Sequence, residues 1–145
     1  MVSKRAVLDD ILACIAPEEW QALEEGSKAL PVNDFNRGTL LRLREFKPLP
    51  EEVAADRVEL LRAQLTNYLT EQLPDKPSAH RFIIASCMGL AFVLCEPMHP
   101  IESTGICLRM HGGRTVYYCP VREDHEGSLC NYCVCRSMDE RSNVS

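Results

Sequence analysis

Two cysteines three positions apart, Cys130 and Cys133, carry the strongest chemical signal in this chain. A C-x-x-C pair at a turn or helix start lets two thiolates converge on one ion, and the backbone N–H groups there stabilise the negative charge. Cys119 lies eleven positions before Cys130 and is followed by Pro120. A loop of that length can return Cys119 to the pair, which gives three thiolates. The candidates for a fourth donor are His99, Cys135, Cys107, Cys95, His111 and His125. If the turn in HGGR centres on Gly112 and Gly113, Cys107 pairs with Tyr118 and Cys119 with Ile106. Cys107 and Cys119 then face opposite sides of the ribbon, which argues against Cys107. Cys135 follows Cys133 by two positions; in a helical segment the two side chains diverge by about 200°, which argues against both binding one ion. His99 meets no such objection and would tie the loop before the hairpin to the C-terminal segment. The expected ligand set is His99, Cys119, Cys130 and Cys133.

Zinc suits such a set. It takes four ligands, as three cysteines with a histidine or as four cysteines, and a closed site crosslinks a thinly packed segment. Its apparent binding energy, on the order of 10 kcal/mol, rivals the stability of a whole domain. Zn2+ in a structural site is therefore the expected cofactor. One alternative is an iron–sulfur cluster, for which four cysteines suffice. Another is a zinc enzyme with three thiolates and an open position, with Glu96, Glu102 or Glu123 as general base. The zinc nucleoside deaminase pattern is H-x-E followed by P-C-x-x-C. Here His99 lies 31 residues before Cys130, but the acid stands at Glu102 and Leu129 replaces the proline.

A length of 145 residues suits one domain, and 46% hydrophobic with 26% charged residues excludes a disordered or low-complexity chain. The net charge of −5 argues against nucleic acid and anionic lipid as partners. Asp9 and Asp10 interrupt the only apolar stretch near the N-terminus, so no secretory signal is read. The longest apolar run, Phe82 to Cys95, has 14 residues, short of the roughly 20 of a membrane span. A cytoplasmic protein is expected, with its thiols reduced. The eight cysteines then read as ligands, redox groups or core, not as a disulfide framework. Cys14, Cys87 and Cys95 read as core. His80, His111 and His125 read as surface or satisfied polar groups, and Arg37, Arg42, Arg44 and Lys47 as a solvated helix face.

These groups need a scaffold. Leu8, Ile11, Leu12 and Ile15 mark one helix face. Pro17 opens a second helix, ending at Pro31. A turn is expected at Asn36 to Gly38, then a short helix from Thr39 to Phe46. Pro50 opens a longer helix with an apolar stripe of Ala54, Val58, Leu61, Leu65, Tyr68 and Leu69. PDKPS breaks it, and Ser78 is the expected N-cap of a helix reaching Cys95. That helix is apolar nearly all round, so it should be central. Ile106 to Met110 and Thr115 to Cys119 are rich in strand formers and flank Gly-Gly, a hairpin signal. A short helix and a frayed tail close the chain.

The strings EPMHP, YYCPV and LCNYC, with Gly105, Gly112 and Gly113 between the first two, cover residues 94–135. This pattern resembles an uncharacterised family of proteins from methanogenic archaea. The family-type positions are His99, Pro100, Tyr117, Tyr118, Cys119, Pro120, Cys130 and Cys133. The resemblance implies an anaerobic archaeal cytoplasm and supplies no activity. The reading overall is a mainly α, single-domain protein over residues 1–145. About five helices surround a central apolar helix (1–95), and 96–145 form a cysteine-rich appendage with a β-hairpin and a metal knuckle. The expected function is metal binding with a structural site, exercised through an unidentified protein partner.

Overall fold

Ser3 begins the first helix by capping it: its Oγ accepts the Ala6 N–H at 3.0 Å. The computed structural model describes residues 1–141. The last residues of the expected frayed tail, 142–145, lie outside the described residues. Strand β1 (Val2–Ser3) pairs antiparallel with β2 (Glu52–Val53) and leads into α1 (Lys4–Leu12). Pro17 is the first residue of α2 (Pro17–Glu25), as expected. This helix stops short of Pro31, because Gly26 turns left-handed at φ +71° and the Ser27 N–H caps the Ala22 carbonyl.

The expected turn at Asn36 to Gly38 is not there. Helix α3 spans Asp34–Glu45, started by Asn33, whose Oδ1 accepts the Asn36 N–H at 2.7 Å. Asn36 is buried, and its own Oδ1 accepts from Ser86 Oγ at 2.9 Å. A residue that reads as turn chemistry is thus a satisfied core polar pair. Helix α4 (Ala55–Gln72) starts later than Pro50 because Glu52 and Val53 are drawn into β2. Its stripe of Val58, Leu61, Leu65 and Leu69 is buried, whereas Tyr68 is exposed.

Helix α5 (Pro77–Met88) starts on Pro77, so Ser78 lies inside it and is not the cap. It continues as a π-helical segment, Gly89–Leu94, and ends where Cys95 turns left-handed at φ +53°. Together the two run 18 residues, long and apolar enough to cross a membrane by length and composition. Half of that stretch is buried by protein, and it packs against α1, α3 and α4. Phe82, Met88, Leu90 and Val93 from this stretch are fully buried, as are Leu8, Ile11, Leu40, Leu43 and Leu61. The fold is mostly helical, with five helices of nine or more residues among the described residues.

Three of the four basic residues of the expected helix face, the arginines of α3, are engaged in ion pairs. Arg42 pairs with Glu96, Arg44 with Glu24 and over Trp20, and Arg37 with Asp34. A similar tie joins α2 to α5. Arg81 donates to both Glu19 carboxylate oxygens at 2.8 and 2.7 Å and to the Cys14 carbonyl. The Arg81 guanidinium, with help from the Ala16 N–H, holds the Glu19 carboxyl at about 2. A folded-state value below the unfolded one stabilises the fold above about pH 4.5, and the gain is lost as pH falls through about 2. Arg81 is half exposed, so solvent screening leaves the gain on the order of 1 kcal/mol. Denaturant midpoints measured between those pH values should fall more steeply for the native chain than for Arg81→Met.

After the short α6 (Ile101–Thr104), β3 (Cys107–His111) and β4 (Arg114–Cys119) form the expected hairpin. Gly112 and Gly113 both take positive φ at its turn, and Cys107 pairs with Tyr118, as read from the sequence. The hairpin is not alone. A third strand, β5 (Arg136–Ser137), pairs parallel to β4. Between them lies a 3-10 turn, Leu129–Tyr132, and α7 (Met138–Arg141) follows β5.

Candidate metal centre

A second, smaller hydrophobic cluster sits apart from the helical core. It consists of buried Ile106, Cys119 and Cys135, with Ile101, Tyr117 and Cys133 packed on it. Each cysteine arrives on a defined element. Cys119 is the last residue of β4. Cys130 lies in the 3-10 turn, which Ser128 caps by accepting the Cys130 N–H on its Oγ at 3.1 Å. Cys133 closes that turn, its N–H donating to the Cys130 carbonyl at 3.1 Å. Cys133 itself has extended angles (φ −78°, ψ 146°), and the chain bends over Cys133 and Val134 before it reaches β5. The helical continuation that set Cys135 against Cys133 is therefore absent. The angular objection to Cys135 goes with it, and Cys133 packs on the cluster in which Cys135 is buried.

The sequence does not single out Arg122, which laces this segment together. Its Nη1 donates to the Cys130 carbonyl at 2.6 Å and to the Cys135 carbonyl at 2.8 Å, while Nε pairs with Asp124. Nothing in the string CPVRED marks this role, because both acceptors are backbone atoms eight and thirteen residues away.

Cys119, Cys130, Cys133 and Cys135 all line one cavity of about 430 Å³, closed on the helical side by α4 and α5. Cys87 of α5 also faces it, and burial pushes that thiol up to about 12. The neighbouring Cys135, together with the Met98 N–H that donates to the Cys133 Sγ, lowers the Cys133 pKa to about 6. Cys135 moves the opposite way, because of the neighbouring Cys133 and its own burial.

His99 lines the same cavity but is exposed, at a rim shared with a second cavity of about 320 Å³ beside Arg42 and Glu96. The four expected ligands thus border one space. Among the described residues, though, no three His, Cys, Asp or Glu side chains already form a group that could hold a metal ion. Cys95 is exposed, not core, with its Sγ 3.9 Å from Lys4 Nζ. Of the other histidines, His80 meets the Leu73 carbonyl at 2.8 Å, and His125 is exposed between Glu123 and the Glu126 carbonyl. Hydrogen bonds from the imidazole to the Glu126 carbonyl and the Glu123 carboxylate raise the His125 pKa.

A family profile described as uncharacterized protein conserved in archaea (DUF2115) matches residues 21–138. That range reaches well into the helical body, beyond the residues whose motifs carry the resemblance. A UPF0305 protein of Methanocaldococcus jannaschii is 34% identical over 97 residues, covering 62% of this chain. The match covers 57% of that relative, so the chain spans little more than half the length of the curated protein it resembles. No solved structure matches.

Proposed function

The chain belongs to the DUF2115 family conserved in archaea, and on that premise we propose that it is a small metal-binding protein whose C-terminal segment is clasped by zinc. The observation that carries this reading is one shared cavity. Cys119, Cys130 and Cys133, with His99 and Cys135 as rival fourth donors, border it from separate stretches of chain. The surrounding cluster has only three buried members, two of them cysteines. Such a small apolar cluster gains most from a crosslinking ion.

The site is structural in this reading, and the protein works in the cytoplasm through a protein partner. Two of the three carboxylates that could serve a catalytic zinc have other partners: Glu96 is paired with Arg42 and Glu123 with His125. Elemental analysis and a visible spectrum of anaerobically purified protein test the proposal. One zinc per chain and no colour is the expected result. A brown protein containing iron and sulfide, or a folded protein free of metal, would overturn it.

A further inference from the structure

We propose that Cys135, and not His99, supplies the fourth donor, so that the ion is held by Cys119, Cys130, Cys133 and Cys135. This rests on the metal reading above and specifies its ligands.

The strongest support is the packing of Cys133 on the apolar cluster in which Cys119 and Cys135 are buried. Two sulfurs bound to one tetrahedral zinc at about 2.3 Å stand about 3.8 Å apart. Side chains already packed in one cluster reach that separation through rotation about χ1. Three donors thus belong to one cluster, which the ion would draw together. Cys130 borders the same cavity, and a χ1 change moves a thiol sulfur by about 3 Å, enough to turn it inward.

Charge points the same way. Binding Zn2+ to four thiolates releases to solvent the protons the thiols still carry and leaves the centre at −2. The Arg122 guanidinium already spans the carbonyls of Cys130 and Cys135, and the Met98 N–H donates to Cys133 Sγ at 3.5 Å. The Arg122 cation beside the cysteines and the Met98 N–H on a sulfur would offset the charge of a thiolate-rich centre. His99, by contrast, is exposed at a rim between two cavities, where coordination would open the centre to water.

The test uses the full chain, stripped of metal under anaerobic conditions and titrated with Co2+, then with Zn2+ in competition. His99→Ala should bind within about threefold of the native chain, with the same sulfur-to-cobalt charge-transfer intensity. Cys135→Ser should lose about a quarter of that intensity and bind at least about 100-fold more weakly, more than a lost outer partner costs. X-ray absorption on the native zinc protein should show four sulfurs. A shell of three sulfurs and one nitrogen overturns the assignment whatever the variants do, including the case where Cys135→Ser does not fold. So does loss of binding in His99→Ala with binding kept in Cys135→Ser; both results leave the metal reading intact. A native chain that binds neither Co2+ nor Zn2+ overturns the metal reading itself.

Discussion

Cys130→Ser and Cys133→Ser are each expected to release the metal and to loosen residues 96–140, while the helical signal of the first 95 residues largely survives. A serine hydroxyl does not ionise near neutral pH and is a poor zinc ligand, so each variant removes a donor without adding bulk. The proposed ion contributes apparent stability on the order of 10 kcal/mol. The cluster it would clasp buries little more than Ile106, Cys119 and Cys135 and cannot replace that. The helical core draws on Leu8, Leu23, Leu40, Leu61, Phe82 and their neighbours, and these five do not line the cavity. Metal content, far-UV circular dichroism and amide exchange separate the two regions. Protection should fall across β3, β4 and β5. It should persist in part at Leu129–Tyr132, because Arg57 of α4 stacks on Tyr132 at 4.9 Å and donates to the Asn131 carbonyl. Metal retained in both variants would overturn the ligand assignment. Cys87 lines the same cavity, and Cys87→Ala should keep its metal.

The parts of this structure that depend on local chemistry were legible, and the parts that depend on distant pairing were not. Gly112 and Gly113 define a two-residue turn. The turn sets the register, and the register correctly pairs Cys107 with Tyr118. Pro17 marks the start of α2 for an equally local reason. Asn36 misleads because its amide meets Ser86, fifty residues on, so turn chemistry serves a helix contact instead. The same limit explains Cys135. A helical continuation from Cys133 is a fair local guess, but β5 is drawn into extended pairing with Tyr118 and Cys119 of β4. That parallel strand pair leaves no pattern in the chain. Once the segment is extended, the angular objection to Cys135 disappears, and Arg122 finds its two carbonyls. Spacing marks Cys119, Cys130 and Cys133, which come to border one cavity; that Cys135 borders it too depends on a strand that spacing does not reveal.

Gly89→Ala is expected to destabilise the protein by about 2–3 kcal/mol, a fall in Tm of about 5–10 °C. Helix propensity predicts the reverse, a gain of about 1 kcal/mol for replacing glycine by alanine. Gly89 has ordinary helical angles, φ −62° and ψ −42°, so its backbone gives no reason for glycine. The reason is Leu43. An added Cβ would stand 2.2 Å from Leu43 Cδ1, 2.8 Å from Cδ2 and 3.0 Å from Cγ. Leu43 is fully buried, so its side chain has no open space into which to retreat. Steric overlap at that distance outweighs the propensity term. Gly38 supplies the control: it is exposed within α3, and a Cβ there meets nothing within 4 Å. Gly38→Ala should therefore stabilise by about 0.5–1 kcal/mol. Shortening the opposing residue tests the cause. Leu43→Ala costs about 3–5 kcal/mol alone, but the double variant Gly89→Ala/Leu43→Ala should be less damaged than the sum of its parts by at least about 1 kcal/mol. All comparisons need the same metal loading, since a bound ion shifts every midpoint. Strict additivity, or a Gly89→Ala protein more stable than the native chain, would show that the close approach of α3 to the start of the π-helical segment is not what excludes a side chain there.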